Sequence, residues 1–226
     1  MVADSKWYAG AGAGKSVPKI KLDEAISGTT LTIPSKYGGG EIALPVLTNS
    51  DFPNTGIKAF VGYDIGEKRG WMLEGSLTDF GTYEASAETS IEFSSVTPEG
   101  IPFNISGTAE EQIESDLYAA TFSVIYSLQL GERISIFPRV GLSYIDGDAT
   151  GTTSIHASLE TPIATRSESL QETKPIKLSG LLAVFGFGVD IQLTEQVFIR
   201  SEMERYGNPT DEYVDLYTVS LGYHFK

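Results

Sequence analysis

Five charged residues of this 226-residue sequence could form ion pairs within a folded sheet: Glu74, Arg139, Asp190, Arg200 and Glu202. The residues beside them on the chain are largely apolar, as Val189 and Ile191 are beside Asp190. Because successive side chains of a strand point to opposite faces, this alternation predicts that the charges share one face and the apolar residues the other.

The spacing of these charges also predicts partners. A symmetric hairpin centred on Glu195 would set Asp190 opposite Arg200, close enough for a direct ion pair. A hairpin centred on Glu132 would set Arg139 opposite Ile125, which leaves Arg139 to pair with Glu74, Asp190 or Glu202 across an enclosed interior. Buried charges need partners, so the predicted chemistry is ion pairing that fills a narrow lumen.

A second set of residues could support nucleophilic catalysis. His156 and Ser158 would share one face of a strand, with Glu160 nearby. A serine nucleophile needs a histidine beside its hydroxyl and an acid that orients the ring. The arrangement resembles the His-x-Ser of outer-membrane lipid A deacylases. The rest of the chain does not support this chemistry, so an enzyme is the remote alternative and the chain is predicted not to be one.

The elements that position these residues are strands, and residues 213–225 show the pattern best. One face carries Tyr213, Tyr217, Val219, Leu221, Tyr223 and Phe225, and the other carries smaller or polar residues. Aromatic residues at both ends of an apolar face are typical of a lipid-facing transmembrane strand. An edge strand of a soluble sandwich is the alternative.

Similar alternation predicts eight strands in total: 7–14, 57–65, 70–79, 117–130, 134–145, 178–193, 197–206 and 213–225. Inner-face glycines at 10, 12 and 14 would leave room for large side chains from other strands.

Three long outer segments are predicted at 15–56, 81–114 and 146–177, with a hairpin between 30–34 and 41–47 in the first. A polar alternation continues the third strand beyond the membrane, towards a turn at 98–100. Pro138 should disturb its strand. The predicted fold is an all-β, eight-stranded, antiparallel up-and-down transmembrane β-barrel, one domain over residues 1–226.

Composition excludes several classes of protein. A formal net charge of −14 argues against nucleic-acid binding, and the absence of cysteine excludes disulfides and thiolate metal sites. The sequence has no apolar run of about 20 residues, the length of a membrane helix. Residues 1–5 do not resemble a signal peptide, which indicates a mature chain. No cofactor or metal is predicted.

Residues 7–12, the strand pair 185–206 and the closing Leu221-Gly222-Tyr223-His224-Phe225 resemble the OmpA-like outer-membrane β-barrel family. This resemblance implies an eight-stranded barrel in the outer membrane of a Gram-negative-type bacterium, interior acid–base pairs, and Phe225 as the signal read by the barrel-assembly machinery. The chain departs from the family in its terminal Lys226, its longer loops and Ile125 in place of an interior lysine. The 226 residues contain no peptidoglycan-binding domain, so the anchoring role of some family members is not carried over, and a barrel excised from a longer chain stays an alternative.

Two classes of function remain open at this point. The first is a structural or surface-interaction barrel with a plugged lumen, whose acidic second loop would bind envelope or host components, either a basic partner or the divalent cations that bridge lipopolysaccharide phosphates. The favoured alternative for that loop is a solvated hairpin whose charges repel one another. That loop carries Glu84, Glu88, Glu92, Glu99, Glu110, Glu111, Glu114 and Asp116. The second is a narrow porin that conducts ions or small solutes. A monomer is predicted in both cases.

Overall fold

A computed structural model describes residues 6–19, 30–33, 40–43, 54–65, 70–96, 100–207 and 213–225. The predicted turns at 66–69 and 98–99, the chain ends at 1–5 and Lys226 lie outside these residues. The strands are β1 (Trp7–Lys19), β2 (Thr30–Ile33), β3 (Gly40–Ala43), β4 (Asn54–Asp64), β5 (Trp71–Val96), β6 (Pro102–Tyr126), β7 (Leu128–Gln129), β8 (Ile134–Thr161), β9 (Ala164–Gln192), β10 (Val197–Gly207) and β11 (Tyr213–His224). None of the described residues form a helix with the length and hydropathy of a membrane span.

Eight of these strands close into a ring. The hydrogen-bonded order is β6-β5-β4-β1-β11-β10-β9-β8, and β8 pairs in turn with β6. The two-residue β7 continues β6 alongside β8, and every pairing is antiparallel. Strands β1 and β11 join the two ends of the chain from Tyr8 opposite His224 to Lys19 opposite Tyr213. The predicted up-and-down barrel of eight strands is therefore confirmed.

The two faces of the ring have the predicted character. Side chains on the outer face form an exposed apolar belt that includes Ile57, Leu77, Phe122, Leu142, Phe187 and Val219. Aromatic residues cluster at the end with the short turns, where the Trp7 and Tyr63 rings lie 4.8 Å apart and those of Trp71 and Tyr126 lie 4.7 Å apart. Tyr118, Tyr144 and Tyr217 are exposed towards the other end. This is the outer surface of a barrel that meets lipid.

In the second long connection β5 and β6 continue beyond the membrane, as the polar alternation predicts, whereas the third consists of strands rather than a loop. Segment 146–177, predicted as a long polar segment, forms the outer parts of β8 and β9, which remain paired up to Thr161 opposite Ala164. The outer parts of β5 and β6 pair in the same way, and β6 pairs with β8, so a four-stranded sheet extends from the ring. Residues 146–161 of β8 alone span roughly 50 Å at about 3.3 Å per residue. In the first connection, β2 and β3 form the predicted hairpin; residues 20–29, 34–39 and 44–53 lie outside the described part.

A bulge separates the membrane part of β5 from its extension. The register with β6 shifts by one residue between Asp79 and Thr82, and Gly81 has a φ of 78°. Such a bulge adds one residue to one strand and re-aims the side chains beyond it. The rings of Phe80 and Tyr83 consequently both point inward and are buried. The bulge explains why the odd-numbered residues of β5 face outward from Trp71 to Asp79 but inward at Tyr83 and Ala85.

Pro138 produces the predicted local irregularity. Pairing between β8 and its neighbour is interrupted between Arg139 and Ile136, and β6 ends at Tyr126 before β7 resumes. Proline has no N–H to donate to a ladder, which accounts for the break. On the other side of β8, Pro138 stays in register with Phe187.

Candidate functional site

The interior of the barrel is the candidate site, and β10 crosses all of it. The inward side chains of this strand are those of Phe198, Arg200, Glu202, Glu204 and Tyr206, and all five are buried. At about 3.4 Å per residue they span roughly 27 Å. This is close to the thickness of the apolar outer band of such barrels, which is about 25 Å. The order of residue types along β10, aromatic, charged and aromatic, is also the order of three layers in the lumen.

The layer nearest the short turns is aromatic and apolar. It consists of Tyr8, Phe60, Met72, Ile125, Phe137 and Phe198. The Tyr8 ring meets those of Phe60 and Phe198 edge-on, with centroids 6.1 and 6.0 Å apart. Glycines provide the space: a side chain at Gly62 would collide with the ring of Tyr8, and one at Gly222 with the ring of Phe198. Of the three glycines predicted to leave such room, Gly10 does so for the Phe60 ring, whereas a side chain at Gly12 or Gly14 would meet mainly the backbone of β11.

The middle layer is ionic, and Arg200 holds one half of it. Its Nε and Nη2 atoms donate to the two oxygens of Asp190 at 2.7 and 2.9 Å, and Nη1 donates to Glu74 at 2.5 Å. The guanidinium also lies 4.6 Å from the ring centroid of Phe137 and 4.8 Å from that of Phe60. Aromatic faces attract cations, so the aromatic layer also stabilises the charge of Arg200.

Lys58 and Arg139 hold the other half. The Lys58 ammonium donates to Glu202 at 2.7 Å and to Glu204 at 2.8 Å, and lies 3.9 Å from Glu74. The Arg139 guanidinium donates to Glu74 and Glu204 and lies 3.3 Å from Glu202. Glu74 therefore joins the two halves, because Arg139 and Arg200 both bind its carboxylate.

Hydroxyl groups complete the layer. Its three cations face four carboxylates, those of Glu74, Asp190, Glu202 and Glu204. Tyr8 donates to Glu74 at 3.0 Å, Tyr206 to Glu204 at 3.1 Å and Thr218 to Glu202 at 3.4 Å. Hydrogen bonds from neutral donors stabilise carboxylates that the cations do not fully compensate.

The layer nearest the long hairpins is again apolar. It consists of Phe80, Tyr83, Leu117, Ala119, Ile145, Val184, Tyr206, Val214 and Leu216. The rings of Phe80 and Tyr206 meet edge-on, 5.0 Å apart. Alternation on the closing strand predicts that the face of Val214 and Leu216 is small and polar, and for these two residues that description is wrong. They point into the lumen because the apolar layer, rather than water, fills this end.

The structure brings together all five charged residues singled out in the sequence. Asp190 lies opposite Arg200 and Arg139 lies opposite Ile125, which confirms both predicted registers. Among the described residues Arg139 contacts Glu74 and Glu202, as two of its predicted alternatives, and Glu204 in place of Asp190.

Sequence reasoning missed two charged members, Lys58 and Glu204. Alternation places both on the inner face, but neither lies opposite a charge on its neighbouring strand. Lys58 opposes Gly12 and Thr78, and Glu204 opposes Gly186 and Leu216. Their pairing crosses the lumen. The signal available in the sequence was their inward position alone, since an inward charge requires a partner somewhere.

The histidine and serine of the remote enzymatic alternative lie far from this interior. His156 opposes Thr108 and Ser169 on the extended sheet, and the Ser158 hydroxyl accepts a hydrogen bond from Ser167 at 3.2 Å. These residues line an open depression of about 490 Å³. They stand about 11 residues beyond Ile145 at the ring, roughly 35 Å away along the strand. A group at that height does not reach acyl chains in the membrane, so the geometry gives no support to lipid deacylation.

Phe225, the predicted assembly signal, lies just beyond the end of β11. Its backbone N–H donates to the Trp7 carbonyl at 3.0 Å, and its ring lies 5.5 Å from that of Tyr223. The side chain is exposed on the aromatic belt.

A closed antiparallel ring with an apolar outer belt and a filled, charged interior defines an eight-stranded outer-membrane β-barrel. The chain belongs to the family described as outer membrane protein beta-barrel domain, whose model matches residues 2–225. This confirms the OmpA-like resemblance and the location in the outer membrane of a Gram-negative-type bacterium.

Several solved structures are similar in fold. Ail, the attachment invasion locus protein of Yersinia pestis, in complex with the heparin analogue sucrose octasulfate, is 16% identical over 100% of both chains, with a TM-score of 0.42. Neisserial surface protein A is 11% identical over 98% of both chains, with a TM-score of 0.50. The N-terminal β-barrel domain of Pseudomonas aeruginosa OprF is 11% identical over 98% of both chains, with a TM-score of 0.39. No curated protein matches the sequence.

Proposed function

We propose that this protein is a structural and surface-interaction barrel of one domain, whose lumen is plugged and whose long hairpins make its contacts outside the cell. The observation that supports it best is the three-layered interior. An ionic layer of seven charged side chains lies between two apolar layers, and six of the seven are no more than 5% exposed as whole residues. Lumens of about eight strands are just wide enough for side chains to fill them.

The extended sheet supports the second half of this proposal. Its outer face presents rows of polar side chains, such as Thr108–His156–Ser169 and Ser106–Ser158–Ser167 across β6, β8 and β9. Acidic residues concentrate on β5 and β6 of the same face. A polar, acidic sheet extending tens of ångströms from the membrane fits contact with a polar or cationic surface on an envelope or host component.

Two further partners are the barrel-assembly machinery and the lipids of the outer membrane. Phe225 and its exposed ring at the end of β11 would be read by the barrel-assembly machinery, as in the OmpA-like family. The continuous apolar belt would hold the protein as a monomer among outer-membrane lipids, including lipopolysaccharide.

A narrow ion-conducting pore is the alternative, and one observation favours it. Several buried polar atoms inside the barrel have no hydrogen-bond partner among the described residues: Thr78 Oγ1, Ser123 Oγ, Arg139 Nε and Ser220 Oγ. Polar atoms of this kind bind internal water, and a connected file of water could carry ions.

Single-channel recording in planar bilayers separates the two functions. The wild type should show at most small, intermittent currents. A matched pair of variants tests the layers. Tyr206→Ala removes a side chain from one layer only and should behave like the wild type. Phe198→Ala, Arg200→Ala, Asp190→Ala and Tyr206→Ala together remove side chains from all three layers, and this variant should conduct more than the wild type. A change in gel mobility between unheated and boiled samples would show that each variant is folded. A large, steady wild-type current would refute the plug.

A further inference from the structure

The lipid-facing rim of the barrel carries positive charge on one side and negative charge on the other. The whole chain has 16 lysines and arginines against 30 acidic residues, so a local excess of cations is unusual in it. Lys15 and Lys19 on β1 and Arg205 on β10 nevertheless lie together on the outer face, on either side of β11. We call these three residues, with Tyr213 and Tyr217, the basic patch.

The basic patch is built from three successive rows across neighbouring strands. Lys15 opposes Tyr217, Val17 opposes Asp215 beside Arg205, and Lys19 opposes Tyr213. The guanidinium of Arg205 lies 3.9 Å from the centroid of the Tyr213 ring, and the Lys19 ammonium lies 5.5 Å from the same centroid. One aromatic ring thus holds two cations at the outer end of the belt.

Asp215 orients Arg205 without removing its capacity to bind an anion. It accepts hydrogen bonds from Nε and Nη2 at 2.6 and 2.7 Å. A guanidinium has five N–H donors, so this pair uses two of them. With two exposed lysines beside it, the patch has an excess of positive charge over the part of the chain that the structure describes.

The rim on the far side of the barrel has the opposite charge. Asp79 and Asp146 flank Tyr118 in one row, and Asp116 opposes Asp148 in the next. Lys177 lies beside Asp148 there, so a cation on that side already has a carboxylate as its neighbour. Anions approaching the rim would therefore be repelled from β5, β6 and β8 and attracted to β1, β10 and β11.

We infer that the basic patch binds the phosphate of a lipid headgroup in the outer leaflet. Tyr217 belongs to the aromatic end of the lipid-facing belt, where headgroups begin. Lys15 lies in its row, and Arg205 and Lys19 lie one and two rows further out. Headgroup phosphates would lie at this height, because the headgroups begin at the aromatic end of the belt. Lysine and arginine side chains extend along apolar surface and keep their charge at the polar interface, which is the geometry that these residues need. Arginine and lysine are the usual protein ligands of phosphate.

The experiment compares lipid retention by folded protein in a non-ionic detergent, counted by native mass spectrometry. Dioleoyl phosphatidic acid is the probe and dioleoyl phosphatidylcholine the chain-matched control lipid. The test variant is Lys15→Gln with Lys19→Gln, and the matched control is Lys174→Gln with Lys177→Gln, which removes the same charge from β9. Wild type and control should retain phosphatidic acid. The test variant should lose about fivefold in affinity for each lysine removed, and so about 25-fold for the pair.

Three outcomes would overturn the inference. Equal retention by the test and control variants would remove the basic patch from lipid binding. Equal retention of phosphatidylcholine by the wild type would mean that phosphate charge is not recognised. Displacement of phosphatidic acid by millimolar inorganic phosphate would indicate a free-anion site rather than a lipid site. Heat-dependent gel mobility of both variants confirms that they are folded.

Discussion

Removing Arg200 provides the most discriminating test of the interior, because its two acidic partners differ in what else they contact. Asp190 is bound through both of its oxygens by Arg200. Glu74 is bound by Arg200, but also by Arg139 and Tyr8, with Lys58 3.9 Å away. Loss of Arg200 would leave Asp190 without its cation, whereas Glu74 would keep its other partners.

The expected cost of Arg200→Ala follows from this arrangement. Breaking a buried ion pair by removing one partner typically costs about 3–5 kcal/mol. The Asp190 side chain is 16% exposed and so retains some contact with water, which places this variant near the lower end of that range. Adding Asp190→Ala should recover about 1–2 kcal/mol, because the unpaired carboxylate is then removed. Adding Glu74→Ala instead should cost more still, since it also deprives Arg139 and Tyr8 of a partner.

The assay is urea unfolding in lipid vesicles, followed by the fluorescence of Trp7 and Trp71. Both tryptophans lie on the apolar belt near the short turns, so their emission reports whether the barrel is inserted in the lipid. The double variant with Asp190→Ala should unfold at a higher urea concentration than Arg200→Ala alone, and the double variant with Glu74→Ala at a lower one. If adding Asp190→Ala and adding Glu74→Ala changed the stability equally, the inference that Asp190 depends on Arg200 alone and Glu74 does not would be refuted. If Arg200→Ala with Asp190→Ala unfolded at a lower urea concentration than Arg200→Ala alone, the pairing of Asp190 with Arg200 would be refuted.

Three further predictions concern the extended sheet. Glu88 opposes Glu110, and like charges directly opposed are destabilising by about 0.2–1 kcal/mol. Glu88→Gln should therefore slow hydrogen exchange in the outer parts of β5 and β6 at neutral pH. The control is Glu92→Gln, which should have little effect because Glu92 opposes a serine. Gly81→Ala should destabilise the barrel by about 1–2 kcal/mol in urea unfolding, because φ is 78° at the bulge, and an unchanged midpoint would argue against the bulge geometry. Arg166 has a 76% exposed side chain near the tip of the β8–β9 hairpin, so trypsin added to intact cells should cut there, and cleavage that needs permeabilised cells would reverse the assigned topology.

Much of the ring was predictable from the sequence, and one local rule explains why. In a transmembrane barrel the outer face meets lipid and the inner face meets side chains, so alternation with a period of two records orientation directly. Arg200, Glu202 and Glu204 could all be placed inside on this basis. Asp190 could even be paired with Arg200, because a tight turn at 194–196 sets the register between adjacent strands.

Beyond the membrane the same rule predicted the extension of β5 but was too weak for β8 and β9. Strands β8 and β9 continue to Thr161 and Ala164, although segment 146–177 reads as a polar connection. Where both faces of a sheet are largely polar or small, alternation carries little contrast, and pairing with adjacent strands decides the structure. The bulge at Gly81 illustrates this as well, since it is defined by the register of two strands rather than by either strand alone.

By itself, the sequence determined which residues face lipid and which face the lumen, and therefore the class of protein. Closure of the ring decided which charges meet. Lys58, Arg139 and Glu204 come from β4, β8 and β10, which are not all neighbours in the sheet, and their contacts depend on the diameter and stagger of the barrel. Closure also decided that apolar residues such as Leu216 and Phe80 would seal the ionic layer from above. Local sequence reports the direction of a side chain, whereas distances across a lumen exist only once all the strands have joined.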